Sequence, residues 1–323
     1  MANILLKARL ALELPPVNAA LERAARGLPE PVRPVALHIF EAGGKRLRPL
    51  LVVLTARLLG YERADIYDLA VTMEMLHAAT LLHDDVLDNA ASRRGKAAAH
   101  TIFDVTPTIL AGDALLAQAN ALVAGFGDPR LSLCFSEATS RTAAGEILEI
   151  AAQRRVDTSA EEYAEIVRGK TAWLIRASCQ LGALRAGGTD AQVEAAAAYG
   201  ENLGMAFQMV DDALDFAPES LTGKPTGGDV REGKLTPPLR LYRMGLADGE
   251  RAAFDAAFGC GLMTDNDAAA IAGRIRDAGH DRQTRLDADA YLATARSALD
   301  ALPDRPEREL MRQMADYVRD RKK

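Results

Sequence analysis

Twice along this chain an Asp-Asp-x-x-Asp cluster interrupts sequence that is otherwise apolar and helix-patterned. The first is Asp84, Asp85 and Asp88 in LLHDDVLDNAASRRG, and the second is Asp211, Asp212 and Asp215 in AFQMVDDALDF. In each, the outer carboxylates lie four residues apart and so share one face of a helix. The adjacent pair that opens each cluster repels itself and needs a counter-charge. Oxygen-only ligands favour hard divalent cations, Mg²⁺ above all, which bridge a carboxylate or two to substrate phosphates. One such cluster alone is as readily a solvated acidic helix face as a metal site. Two of them, introduced by MLHAATLL and YGENLGMAFQMV, argue for a pair that clamps a diphosphate through bound cations.

The basic residues point the same way. GGKRLRP (Gly43 to Pro49) sets two glycines before Lys45, Arg46 and Arg48. Glycine lets backbone approach a phosphate closely, and Pro49 suits the first turn of a following helix. Arg93 and Arg94 follow the first cluster, Lys170 and Thr171 lie mid-chain, and Lys224 and Lys234 follow the second cluster. Singly each reads as a surface cation; together they are what a site for two diphosphates needs.

Apolar residues recur at three and four, as in Ile166, Val167, Leu174 and Ile175, and no strand pattern of any length is visible. Helices are expected near 3–25, 30–41, 47–60, 64–88, 107–125, 130–153, 159–186, 190–217, 235–244, 250–258, 264–277, 283–301 and 305–320. The long Gly- and Pro-containing loop PESLTGKPTGG after the second cluster has the character of a lid. No linker, repeat or low-complexity stretch divides the chain, so 1–323 is read as one all-α domain. A net charge of −6 makes nucleic acid an unsuitable partner. Cys134, Cys179 and Cys260 are odd in number and lack CxxC spacing, which suits buried thiols in a reducing cytoplasm. The amino terminus lacks the continuous apolar region of a signal peptide, and no apolar run is long enough to span a membrane.

These segments together resemble the trans-isoprenyl diphosphate synthases of the polyprenyl synthetase family. EAGGKRLRP, MLHAATLLHDDVLDNAASRRGKAAAH, AGDALL, GEILEI, YAEIVRGKTA, GENLGMAFQMVDDALDF and TGKPTGGDVREGKLTPPL carry the resemblance in family order, from about residue 38 to residue 240. The resemblance implies an isoprenoid-synthase-type helical bundle around a central cavity, a homodimer, and head-to-tail transfer of the prenyl group of an allylic diphosphate to isopentenyl diphosphate with release of pyrophosphate. It implies Mg²⁺ as cofactor, about three ions, held directly by Asp84, Asp88 and Asp211 with Asp85, Asp212 and Asp215 in support. Arg93, Lys170 and Lys224 match the cations on the allylic diphosphate, assisted by Lys234. Lys45, Arg48, His77 and Arg94 match the isopentenyl diphosphate site, with backbone from Gly44. Thr171 and Gln208 match positions beside the reacting carbons, and the departing pyrophosphate is the usual proton acceptor. TPP (Thr236 to Pro238) stands where the family more often has Thr-Leu-Pro, a departure that removes no charge. The family position of Trp173 is more often small, and the sequence assigns it no function beyond core or subunit interface.

Product length follows from what lies below the first cluster. Ala79 is about 7.5 Å below Asp84 on a helix rising 1.5 Å per residue. Short-chain members place a bulky aromatic at the position of Ala79 or Thr80, and both are small here. The resemblance therefore implies a long-chain product of about C40–C50 for a quinone side chain, with Leu76 or Met73 as deeper stops and a C20–C25 product as the alternative. A terpene cyclase usually lacks the second cluster and the GGKR loop. A non-catalytic subunit of a heteromeric synthase loses aspartates or cations, and here all are present.

Overall fold

The computed structural model describes residues 2–222 and 225–321. Lys224, expected among the diphosphate cations, lies outside them. The chain is helical almost throughout: α1 (Ala2–Arg26), α2 (Arg33–Glu41), α3 (Leu47–Leu58), α4 (Ile66–Leu87), α5 (Ala99–Phe103), α6 (Val105–Ala124), α7 (Pro129–Ala152), α8 (Ala160–Val167), α9 (Trp173–Arg185), α10 (Asp190–Asp215), α11 (Glu219–Thr222), α12 (Gly228–Glu232), α13 (Pro237–Met244), α14 (Asp248–Gly259), α15 (Asp265–Ala278), α16 (His280–Ala298) and α17 (Pro306–Arg319). A π-helical turn, Arg168–Ala172, joins α8 to α9, and a 3₁₀ turn, Leu299–Ala301, follows α16. No helix among the described residues is long and apolar enough to cross a membrane.

Two compact units form. The first comprises Met1–Thr139, Ala177–Ala197 and Ala301–Met311, and the second Ser140–Arg176, Ala198–Asp300 and Arg312–Lys323. The first unit is organised around α4, whose Leu69, Val71, Met73, Met75, Leu76, Ala79 and Leu82 are all buried. A helix apolar on nearly every side must be enclosed, and α4 packs on α6, α3 and α1. Burying each Leu or Met side chain contributes roughly 1.5–3 kcal/mol. On α6 the backbone of Gly112 lies under His83, where a Cβ would sit 2.3 Å from the ring. His83 is thus a packing residue, with Nε2 3.1 Å from the carbonyl of Ile109.

The second unit has its apolar centre in Phe216, Leu239, Tyr242, Phe254, Phe258, Ile271 and Ile275. Within it, α8 begins with Ser159 accepting from the Glu162 backbone N–H, while the Glu162 side chain accepts from the Ser159 N–H.

Several expectations change. The helix expected over 159–186 forms without a gap, but its ladder changes at Arg168–Ala172, where Gly169 packs so tightly on α7 that a Cβ would lie 2.7 Å from Gly145 Cα. A π-helical turn widens the ladder there, as is common at functional sites. A two-stranded hairpin, β1 (Ser92–Arg93) and β2 (Lys96–Ala97), lies within what was expected as loop, with Gly95 at φ 79° in its turn. The short helix α5 was not expected, and α11 and α12 occupy part of the presumed lid. Cys260 is exposed rather than buried, because α14 ends there; Cys134 and Cys179 are buried.

Candidate active site

In the second unit a cavity of about 130 Å³ is lined by Glu149 of α7, Tyr163 of α8, Lys170 and Thr171 of the π turn, Gln208 and Asp212 of α10, and Asp229 and Lys234. Four of these form a continuous hydrogen-bonded chain. Thr171 Oγ1 donates to Gln208 Oε1 at 2.8 Å, Gln208 Nε2 donates to Asp212 Oδ1 at 2.8 Å, and the Tyr163 hydroxyl donates to Asp212 Oδ2. Burial pushes the Asp212 carboxyl up to about 7 against these two donors, with Asp211 and Glu149 adding to the rise. Asp215 is gripped by backbone: the N–H groups of Gly228 and Asp229 each lie 3.0 Å from its carboxylate, and burial still leaves its pKa raised. Asp211 differs. It is half exposed, and its Oδ1 meets Arg321 Nη2 at 3.0 Å while that guanidinium stacks on Phe207 at 4.2 Å.

Lys170 and Lys234 also lie on this cavity. Lys170 Nζ sits 2.7 Å from both Glu146 and Glu149, and Lys234 Nζ sits 2.7 Å from Glu232 and 3.1 Å from Glu149. Burial works against both ammonium groups, but Glu149 and its neighbours outweigh it and raise both pKa values. Trp173, two residues past Thr171, is flanked by the guanidinium groups of Arg141 at 5.1 Å and Arg176 at 5.2 Å.

The first unit builds a second charged cluster. Asp85 is fully buried and accepts from Arg93 Nε at 2.6 Å. Asp84 is half-buried and Asp88 exposed. Gly43 and Gly44 take φ values of 79° and 150°, and Arg94 donates through Nη1 to the Gly43 carbonyl. A Cβ on Gly44 would lie 2.6 Å from that nitrogen, so the glycine is required for the approach. Arg46, the left-handed residue before α3, is held by Glu74 and the Phe40 carbonyl, each at 2.6 Å. Burial lowers Arg48 to about 10, with Glu74 opposing. His77 lies within the field of Arg48, Arg94, Arg93 and Arg46, and burial together with those cations pushes its pKa well below the usual histidine range. Lys45 is exposed at the edge of the glycine loop. Leu76 and Ala79 are buried in α4, and Thr80 donates its hydroxyl to the His77 carbonyl at 2.9 Å.

The structure thus joins Lys170, Thr171, Gln208, Asp212 and Lys234 on one cavity, and Arg48, His77, Arg93 and Arg94 in one cationic cluster. Asp88 and Asp211 are exposed and Asp84 is half-buried, whereas Asp85, Asp212 and Asp215 are taken up by protein donors. Among the described residues no three His, Cys, Asp or Glu side chains converge to hold an ion unaided. The available donors are carboxylate oxygens, few per cluster, which fits Mg²⁺ completing its shell from water and substrate phosphate. Sequence reasoning missed Tyr163, Asp229, Glu149 and Glu74. Tyr163 and Glu149 stood within the quoted YAEIVRGKTA and GEILEI segments, but nothing local marked them as partners of Asp212 and Lys170.

A sequence model of the family described as polyprenyl synthetase matches residues 29–270. The chain is 38% identical to heptaprenyl diphosphate synthase component 2 of Geobacillus stearothermophilus, over 95% of each chain. It is similar to the crystal structure of a decaprenyl diphosphate synthase from Rhodobacter capsulatus, with TM-score 0.91 and 38% identity over 98% of each chain. A polyprenyl synthase from Caulobacter crescentus CB15, complexed with calcium and isoprenyl diphosphate, gives TM-score 0.92 and 36% identity, covering 98% of this chain and 97% of that one.

Proposed function

We propose, from the premise that this chain belongs to the polyprenyl synthetase family, that it extends an allylic diphosphate with isopentenyl diphosphate to a long all-trans product of about eight to ten isoprene units. It is a prenyltransferase with the all-α isoprenoid synthase fold. The observation that carries our reading of the site is the Thr171–Gln208–Asp212–Tyr163 chain beside Lys170 and Lys234 on one cavity wall.

In this reading Arg93, Lys170 and Lys234 hold the allylic diphosphate, with Lys224 outside the described residues. Lys45, Arg48, His77, Arg94 and the Gly44 backbone hold isopentenyl diphosphate. Asp84, Asp88 and Asp211 are the direct ligands of Mg²⁺; Asp85, Asp212 and Asp215 orient their surroundings. Bound Mg²⁺ supplies Lewis-acid stabilisation to the departing diphosphate. The carbon–oxygen bond of the allylic diphosphate breaks, the double bond of isopentenyl diphosphate attacks the allylic cation, and a proton leaves to the departing pyrophosphate. Thr171 and Gln208 present fixed oxygens near that cation, and Tyr163 locks Asp212 so that Gln208 does not turn away. Preorganised dipoles of this kind stabilise developing charge without reorganising during the reaction.

The long-chain reading is supported by the small Ala79 and Thr80 in α4 and by the similarity to the decaprenyl synthase; a C20–C25 product is the alternative. A homodimer is supported by exposed Ile102, Val105, Ile109 and Leu110 on α5 and α6. We treat residues 1–323 as one domain because the family match takes in segments of both units. A cytoplasmic location suits the free thiols Cys134, Cys179 and Cys260. The alternative of a non-catalytic subunit is disfavoured by the retained aspartates and cations. Asp84→Ala and Asp211→Ala should each lower turnover at least about a hundredfold, the scale of losing one preorganised electrostatic contact, with melting unchanged. Near-normal turnover in either variant removes that residue from the site.

A further inference from the structure

One carboxylate stands between the two lysines that line the cavity. Glu149 Oε1 is 2.7 Å from Lys170 Nζ and 3.1 Å from Lys234 Nζ. Each lysine has a second carboxylate of its own, Glu146 for Lys170 and Glu232 for Lys234, each at 2.7 Å. Both cations are therefore neutralised by the chain before any ligand arrives. Burial alone would raise the Glu149 pKa, but Lys234 and Lys170 outweigh it and hold the carboxyl below its usual range, so it is ionised at neutral pH.

An ammonium group offers three N–H donors, and here two on each lysine are directed at carboxylates. A diphosphate reaching these lysines meets a competing anion on the same donors, in a partly desolvated pocket where like charges are weakly screened. Lys170 and Lys234 do not need Glu149 to stay ionised, since Glu146 and Glu232 remain. Its charge is thus surplus to holding the lysines and bears on whatever anion they bind.

We propose that Glu149 is a resident stand-in for diphosphate, bridging Lys170 and Lys234 in the free protein, weakening diphosphate binding and hastening diphosphate release. The proposal rests on the reading that these two lysines receive the allylic diphosphate. An enzyme that repeats one condensation many times must let pyrophosphate go after each, and a built-in competitor serves that step. The opposite role is also definite. If Glu149 served only to gather the lysines, removing its charge would scatter them and weaken binding.

Glu149→Gln keeps the side-chain shape and one acceptor and leaves neither lysine without a carboxylate. Inorganic pyrophosphate is titrated calorimetrically, at fixed Mg²⁺, into the full-length wild type, Glu149→Gln and Lys170→Ala. Glu149→Gln should bind pyrophosphate about tenfold more tightly, a change of about 1.4 kcal/mol. Pyrophosphate should inhibit its turnover at correspondingly lower concentration, and Lys170→Ala should bind more weakly than wild type. Should Glu149→Gln fold poorly, Glu149→Asp, which draws the carboxylate back by one methylene, should tighten binding about threefold. Unchanged or weaker binding on altering Glu149, with Lys170→Ala still weakened, overturns the proposal and leaves the pocket assignment standing. Unchanged affinity in Lys170→Ala overturns the pocket assignment and the proposal with it.

Discussion

Arg93 closes on Asp85 from two nitrogens at once: Nε and Nη2 each lie 2.6 Å from the same carboxylate oxygen, Oδ1. Asp85 has no exposed surface, and its other oxygen has no hydrogen-bond partner among the described residues. Arg93 sits on the β1 strand of the small hairpin, so that hairpin delivers the counter-charge which the adjacent Asp84 and Asp85 require. Truncating one partner of a buried ion pair leaves an uncompensated charge and costs about 3–5 kcal/mol. Arg93→Met should therefore lower the urea midpoint markedly, in addition to any loss of turnover. Asp85→Asn, which leaves the partly exposed guanidinium to reach water, should be milder. Equal midpoints for wild type and Arg93→Met would show that the pair is not structural.

His77 is held neutral by burial and by Arg48, Arg94, Arg93 and Arg46. Its folded pKa is depressed below the unfolded value of 6.5. As pH falls through that unfolded value, the unfolded chain takes up a proton that the folded chain refuses, and stability declines. His77→Gln should thus gain thermal stability relative to wild type on going from pH 7.5 to 5.5, by up to about 1 kcal/mol. A stability difference independent of pH across that interval would mean that His77 protonates normally in the folded protein.

Ala79 is 2% exposed in α4, with Leu76 at 1% one turn further from Asp84. Our reading has the growing chain pass Ala79. Overpacking a helical interior costs about 1–3 kcal/mol, so a ring placed there is not easily moved aside. Ala79→Tyr should stop elongation at no more than about four isoprene units while the primer is consumed at a near-normal rate. Wild-type product from this variant would take Ala79 out of the chain's path and shift the stop to Leu76 or Met73.

What was legible in the sequence was what local pattern carries. The two aspartate clusters, the glycine loop and the Lys170-Thr171 pair each declare themselves within a few residues. Asp88 and Asp211 are exposed and Asp84 half-buried, while Asp85, Asp212 and Asp215 are buried or half-buried and held by protein donors. Tyr163 meets Asp212 across 49 positions and Lys170 meets Glu149 across 21, and neither partner is marked by its neighbours. The π turn within helix 159–186 was hidden because apolar periodicity runs through it; it coincides with the close Gly145–Gly169 approach. The 92–97 hairpin has two residues per strand, too few for alternation to register. Cys260 looked like the other thiols because burial depends on where α14 ends.

On our reading this chain, alone, builds a long prenyl chain. The direct measurement is incubation of the purified protein with Mg²⁺, labelled isopentenyl diphosphate and an allylic diphosphate primer, followed by chromatography of the dephosphorylated products. We predict a product of about eight to ten isoprene units, lost when Mg²⁺ is chelated. No incorporation under these conditions would contradict the claim and point to a subunit that needs a partner. A product that ends at C20–C25 would leave the reaction standing and contradict the long-chain reading.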